Sequence, residues 1–558
     1  MHESLMSMSG IDLGNEHGAS GDDIAAQWEI ASLRAGVSDP TSMLKKISSA
    51  LLRESKNRSY HSPLHLKRDI KRVPGYASPI SSIAQSGSTN TKRMRLPPPS
   101  HTGMNLASAF NATSPLAPSY AERKNMGKIE VTLHPELDFK KQNTDENVSI
   151  EIHETVKPFL YMNQPLIVKA AQLEAKLCRM QALLCNANDI SEDSIARIGT
   201  LGQNNITVCG MICCDAPEGK LNAQSILLEG SRSDSNGQRI KLDVSHLESY
   251  SLFPGQVILA TGLCPEGHTL FAKQLFTKVF AVDHTEKVLG QSTSIIVASG
   301  PFTTTSDLSY HPLEDLLGTV TESPPDVLVL MGPFVDAQHP MVLSGHTVFG
   351  EGVNATVLTL QEILAYVLGR IEFATKDLKT KVVIVPSTND ATQRVCFPQP
   401  AFAASLLTES TGNVLLASNP CSLTVNGTRI SISTVDTLFD MSQEEISKRT
   451  TGKSEERLVR LARHMVDQAS VYPMFPASAA ARVDLTQSEA FLLPQVPDLV
   501  ISSSKLAPFA KLVDQTVCVN PGKLTRGRTG GLFAKLIVHT NSGNPQSAQR
   551  TKVEILRI

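Results

Sequence analysis

Asp336 and His339 lie close together in Leu330–Pro340, LMGPFVDAQHP, which opens on the last residue of the apolar run DVLVL. A carboxylate and an imidazole at a strand end are side chains of metal-assisted hydrolysis. Cleaving a phosphoester with two adjacent cations asks for more. In sequence it needs D-x-H, then G-D-x-x-D, then G-N-H-[DE], a further His, and finally G-H-x-H. Carboxylate and water then bridge the metals while His and Asn complete their shells.

Each element fails in turn. No Asp has His two positions later, and the first strand ends in Ala298-Ser299-Gly300-Pro301. The second element reads Gly332-Pro333-Phe334-Val335-Asp336, with proline where the bridging acid belongs. Proline cannot coordinate a metal and lacks an amide N–H. The third reads Ser387-Thr388-Asn389-Asp390, so Thr388 stands at the Asn ligand and Asn389 at the catalytic His. Beyond Asp390 only His464 and His539 remain, and neither forms G-H-x-H. Gly345-His346-Thr347 and Gly267-His268-Thr269 resemble fragments of it in the wrong order. The expectation is therefore no metal and no cofactor. Pro333 rigidifies a turn, and Asp336 and Asp390 cap helices or bind loop amides.

The elements that would carry these loops begin near residue 293. Apolar strands ending in Gly, Pro, Ser or Asn alternate with helical stretches: STSIIVASGPF, DVLVLMGPF, KVVIVPSTND, GNVLLASNPC and TRISISTVD. DLVISSS, QTVCVNPGK and LFAKLIVHT follow the helix KSEERLVRLARHMVDQAS. This pattern predicts a layered α/β domain over 293–558, with its loops at strand C-termini. Upstream, PLIVKAAQLEAKLCRMQALLCNA predicts an amphipathic helix. Five short strand runs follow it: NITVCGMICCD, AQSILLEG, QRIKLDV, GQVILATGL and TLFAKQLFTKVF. Helix and strands together predict an OB-fold barrel domain over 150–284. Few aromatics and little excess charge on these strands favour a protein partner over single-stranded nucleic acid.

The chain has 558 residues, 41% apolar and 19% charged, so two or three domains are expected. A net charge of −2 hides a contrast between segments. Residues 1–53 hold seven acids and four Lys/Arg and predict a small helical segment. Residues 54–128 hold twelve Lys/Arg and three acids and predict a disordered Ser/Pro linker. Two basic clusters there, Lys67, Arg68, Lys71, Arg72 and Lys92, Arg93, Arg95, fit a bipartite nuclear-import signal or a solvated basic linker. Ser62, Ser78 and Ser114 each precede proline, as in phosphorylation sites or ordinary turns. Nine cysteines without a C-x-x-C pair read as reduced thiols, with no disulfide or zinc framework. Neither a signal peptide nor a membrane span is expected.

Several strings carry a resemblance: SYSLFPGQV, GPFTTTSDLSYHPL, MGPFVDAQH, SNPCSLTVNGTRISISTVDTLF, YPMFP and VNPGKLTRGRTGGLFAKL. Over roughly 150–558 they are similar, in order, to the B (accessory, regulatory) subunits of the DNA polymerase alpha–primase complex. The resemblance implies an OB-fold barrel packed with an inactive calcineurin-like metallophosphoesterase domain, a layered β-sandwich with flanking helices. It implies a non-catalytic nuclear scaffold for primer synthesis. Its partner would be the C-terminal zinc-binding region of the catalytic subunit, with primase and DNA reached through the complex. The basic residues Lys523, Arg526 and Arg528 replace the expected G-H-x-H region and read as a solvated glycine-rich loop, or as a contact to an acidic partner or a nucleic-acid phosphate. Three alternatives stay open: an accessory subunit of polymerase delta or epsilon, an active phosphodiesterase or 3′–5′ exonuclease, and a stand-alone single-strand binder.

Overall fold

The computed structural model describes residues 120–139, 148–153, 156, 159–161, 163–216, 219–280, 291–349, 356–407, 412–449, 455–539 and 547–558. All belong to one compact unit, Met104–Ile558. The helical segment 1–53, both basic clusters and the three Ser-Pro positions lie outside the described residues.

Strands β1 (Ile129–Leu133) and β2 (Ile150–His153) come first, followed by helix α1 (Leu166–Ala187). Five strands then form a barrel: β3 (Gly202–Cys214), β4 (Ile226–Glu229), β5 (Arg239–Asp243), β6 (Val257–Cys264) and β7 (Thr269–Phe276). Their order is β3-β4-β5-β7-β6, closed by β6 pairing back onto β3. β5 and β7 run parallel and the other pairs antiparallel, which is the OB-fold the strand runs predict. Alternate residues turn inward, among them Val208, Ile212, Leu228, Leu242 and Leu270, all fully buried.

The rest of the chain builds a two-sheet sandwich. β8 (Thr293–Ser299), α2 (His311–Glu322), β9 (Val327–Met331), α3 (Leu360–Thr375), β10 (Lys381–Val385) and β11 (Val414–Leu416) make its parallel, helix-linked part. β12 (Cys421–Val425), β13 (Thr428–Ser433), α4 (Thr437–Glu444) and α5 (Arg457–Asp467) follow. β14 (Leu499–Ser502), β15 (Phe509–Val513), β16 (Thr516–Asn520), β17 (Leu532–Val538) and β18 (Thr551–Arg557) complete it. One sheet has the order β1-β18-β17-β8-β9-β10-β11, the other β2-β12-β13-β14-β16-β15. Every residue of β9, β14 and β16 is buried, as expected of strands covered on both faces. The two sheets share one apolar core, and α2 and α3 bury Leu313, Leu316, Leu364 and Leu368 against the outer face of the first.

A third core joins barrel to sandwich. Leu177, Met180 and Leu184 of α1 and Val257 and Leu259 of β6 are buried with Leu438, Leu461, Met465, Tyr472 and Phe397. Burying side chains of this size contributes about 1.5–3 kcal/mol each. Lys176 crosses the same seam and donates to the Gly255 carbonyl at 2.8 Å and the Pro473 carbonyl at 2.7 Å. Gly255 has φ of +89°, and a Cβ there would lie 2.1 Å from the Phe475 nitrogen. Only glycine fits that turn.

Two boundaries differ from the sequence reading. The linker expected to end at 128 gives way by Tyr120, whose hydroxyl donates to Asp315 of α2 at 2.7 Å. Arg123 also reaches Asp315, and β1 pairs antiparallel with β18. β2, placed at the start of the barrel domain, pairs instead with β12 of the sandwich. Both strands are short, with residues left exposed along them, so they carry weak apolar signals, and sheet membership is set by partners distant in sequence.

Candidate functional site

The loops that fail the two-metal pattern do converge at one end of the parallel strands. β8 delivers Ser299-Gly300-Pro301, β9 delivers Gly332-Pro333, and β10 delivers Ser387–Asp390. The Gly300–Pro301 and Gly332–Pro333 peptides are cis. The loops touch closely: a Cβ on Gly332 would lie 2.4 Å from an Asp390 carboxylate oxygen.

Asp390 is the staple. One carboxylate oxygen accepts from the Phe334 amide at 2.5 Å and the Val335 amide at 3.2 Å, and the other from the Ser387 amide at 2.7 Å. Burial pushes this carboxyl up to about 7 against the pull of those three amides. The backbones of the same loops zip together, Ala337 N–H to Asn389 C=O at 2.9 Å and Ala391 N–H to Val335 C=O at 2.8 Å. Asp336 accepts from the Gln338 amide at 2.9 Å, closing an Asx turn, and burial raises its pKa. Both acids bind loop amides, one of the two roles the sequence suggested for them.

His339 is bound on both ring nitrogens by backbone groups. Its Nδ1 accepts from the Met341 amide at 3.2 Å, which leaves Nε2–H to donate to the Thr304 carbonyl at 2.8 Å. Phe334, beside Pro333, points into the core, 5.0 Å from the Phe302 ring and 5.7 Å from Phe402. Tyr310 donates to the Phe334 carbonyl at 2.9 Å. Pro333 thus opens a hydrophobic pin rather than a ligand shell. Among the described residues no group of three or more His, Cys, Asp or Glu side chains is placed to hold a metal ion.

The space at these strand ends is taken by an ammonium. Lys523 donates to the Ser503 hydroxyl at 2.6 Å and sits 3.4 Å from the Ser299 hydroxyl, and the two hydroxyls are 2.8 Å apart. Burial pulls the Lys523 amine down to about 8, while the Asp436 and Asp336 charges resist. The basic trio read from the sequence is therefore split. Lys523 turns inward, whereas Arg526 and Arg528 are exposed on the hairpin of Thr525–Arg526 and Thr529–Gly530. Sequence reasoning missed Ser299, Ser503 and the inward turn of Lys523. The available signal was the position of Lys523, shortly after the wholly buried strand β16.

These groups open into a cleft of about 1030 Å³ between barrel and sandwich. Met211, Cys213 and Asp215 line its barrel side, and Thr388, Asn389 and Lys523 its sandwich side. The loop Met474–Ala481 lines it as well. Of the degenerate positions, Pro333, Asp336 and Asp390 are held in the loop packing, and Thr388 and Asn389 look into the cleft. The nine cysteines are all free thiols.

The barrel and the sandwich fall in the two stretches that family models of DNA polymerase B subunits describe, which gives the class of the chain. The family model for the OB domain of the DNA polymerase alpha B subunit matches residues 171–278. The model for the B subunit of DNA polymerase alpha/epsilon matches 295–511. The chain is 30% identical over 528 residues to the DNA polymerase alpha B subunit of Mus musculus, covering 92% of this chain and 84% of that protein. Against the Schizosaccharomyces pombe protein of the same name it is 31% identical, covering 77% and 79%. Among solved structures, a novel archaeal phosphodiesterase aligns with 47% of this chain and 99% of its own, at 11% identity and TM-score 0.22. Within the class, the chain belongs to the family of DNA polymerase alpha B subunits.

Proposed function

We propose that this chain is a non-catalytic scaffold of the polymerase alpha–primase assembly, docking the C-terminal zinc-binding region of the catalytic subunit in the cleft between barrel and sandwich. The observation that carries this reading is the reassignment of the strand-end loops. Asp390 and His339 are consumed by backbone groups, yet the same loops wall a large cleft fixed in shape by a shared core. Such a surface needs rigidity and complementarity rather than ligands. Primase and DNA are reached through the complex. The basic clusters around Lys67–Arg72 and Lys92–Arg95 serve nuclear import, and Ser62, Ser78 and Ser114 are phosphorylation sites in this reading.

Affinity purification of the tagged chain from nuclear extract tests it. The alpha catalytic subunit and both primase subunits are expected in stoichiometric yield. Recovery of delta or epsilon components instead would overturn the assignment to alpha. A bulky substitution on the cleft wall, Thr388→Trp, should reduce recovery of the catalytic subunit while the melting temperature of the free chain stays unchanged. Manganese with single-stranded DNA should give no cleavage, and metal-dependent cleavage abolished by Asp336→Ala would overturn the non-catalytic reading.

A further inference from the structure

The inner end of the cleft holds a charge without a carboxylate on it. The Lys523 ammonium has three donors; the hydroxyls of Ser503 and Ser299 account for two, at 2.6 and 3.4 Å. Neighbouring acids are occupied elsewhere. Asp436 accepts from the Phe439 amide at 3.1 Å and the Lys505 amide at 2.7 Å. Asp336 is committed to the Gln338 amide and Asp390 to three amides. The remaining acids of the cleft lie toward the barrel or α4. Glu229 pairs with Arg239 at 2.6 Å, and Asp440 accepts from Tyr472 at 3.0 Å. Glu444 lies 4.0 Å from Lys220, and Asp215 stands on the barrel wall.

A second ammonium, Lys505, lines the same cleft with its Nζ 5.7 Å from the Phe439 ring. Thr388 and Asn389 also line it, and among the described residues their side chains make no hydrogen bond. Lys523 is half-buried and lines the cleft. Asp436 and Asp336 offset the desolvation of this ammonium only from a distance, with no carboxylate in hydrogen-bond contact, and an oxyanion accepting a charge-assisted hydrogen bond would offset it further. We propose that the inner end of this cleft is a binding site for a small oxyanion, a phosphate or carboxylate group. Lys523 is its anchor, with Lys505, Thr388 and Asn389 at its rim. The site is a property of the free chain and does not rest on the docking reading above.

Isothermal titration of the full chain tests it, with inorganic phosphate and acetate as separate probes at ionic strength matched by chloride. Saturable heat with phosphate alone assigns the site to phosphoryl groups. Saturable heat with both assigns it to oxyanions generally, including acidic side chains of a protein. In either case Lys523→Met should weaken binding by about tenfold or more, the scale of losing a hydrogen bond to a charged group. Thr388→Val and Asn389→Leu should weaken it less. Absence of heat with both probes on the wild-type chain would overturn the proposal. Equal binding by wild type and a Lys523→Met chain that keeps its cooperative melt would overturn it too.

Discussion

Lys523 and Asp390 illustrate how single side chains hold the strand-end loops in place. The Lys523 amine titrates near 8 when folded, below the ordinary lysine range, so the folded state loses its proton first. Wild-type stability should therefore rise between about pH 8 and the free-lysine value near 10.4. Lys523→Met removes the buried charge. It should melt higher than wild type at pH 7, with the advantage shrinking as pH climbs through that window, read by thermal melts across pH. Asp390→Asn should destabilise by about 1–3 kcal/mol, because an amide nitrogen facing the Ser387 or Phe334 N–H leaves a buried donor unpaired. Urea denaturation reads that loss. The departures from the two-metal pattern were legible in the sequence because ligand chemistry demands particular residue types at fixed spacings. What lies at those strand ends was not. Apart from its place shortly after a buried strand, a lysine in a glycine-rich stretch gives no sign of direction, and two serines give none of sharing an ammonium.

At the level of elements, legibility followed burial. The five barrel strands announce themselves by short apolar or alternating runs between turns, and the parallel strands β8, β9 and β10 by continuous apolar runs, since their faces meet a core. β1 and β2 sit at sheet edges with alternate residues exposed, and their pairing with β18 and β12 depends on segments hundreds of positions away. The short strand Tyr250–Leu252, which joins Ile446–Lys448 across the domain seam, was equally silent. That seam carries a firm prediction. Gly255→Ala places a methyl at positive φ against the Phe475 backbone and should cost at least about 1–3 kcal/mol, the scale of overpacking and strained backbone. Its signature in calorimetry would be a single transition splitting into separate barrel and sandwich melts.

Across the whole molecule, the seam also has an electrostatic clasp. Glu445 is buried, which alone would raise its pKa, yet bonds from Arg460, His464 and Ser251 hold it well below the ordinary carboxylate range. Arg460 donates at 2.7 and 2.8 Å to its two oxygens, and Ser251 comes from the barrel side at 2.5 Å. A carboxylate depressed on folding lends stability above its unfolded pKa and loses it as pH falls. Stability should therefore begin to fall below about pH 4 and go on falling toward the depressed folded pKa, weakening the hold of barrel on sandwich, and the difference between wild type and Glu445→Gln should narrow along the way. Small-angle scattering and melts at pH 7 and pH 3.5 would read both effects. Ser251, His464 and Glu445 resemble a hydrolytic trio by type, but Glu445 and Ser251 meet the same imidazole nitrogen, so the histidine is clamped rather than oriented for proton transfer.

The core shared by α1, β6 and α5 has a consequence for descent. A gene fragment encoding the barrel alone would expose Leu177, Met180 and Val257 to water, and one encoding the sandwich alone would expose Leu461 and Met465. Either product would be sticky before it was useful. Recombination that separated the halves would thereby be penalised at the first generation, a pressure toward inheriting barrel and sandwich as one unit.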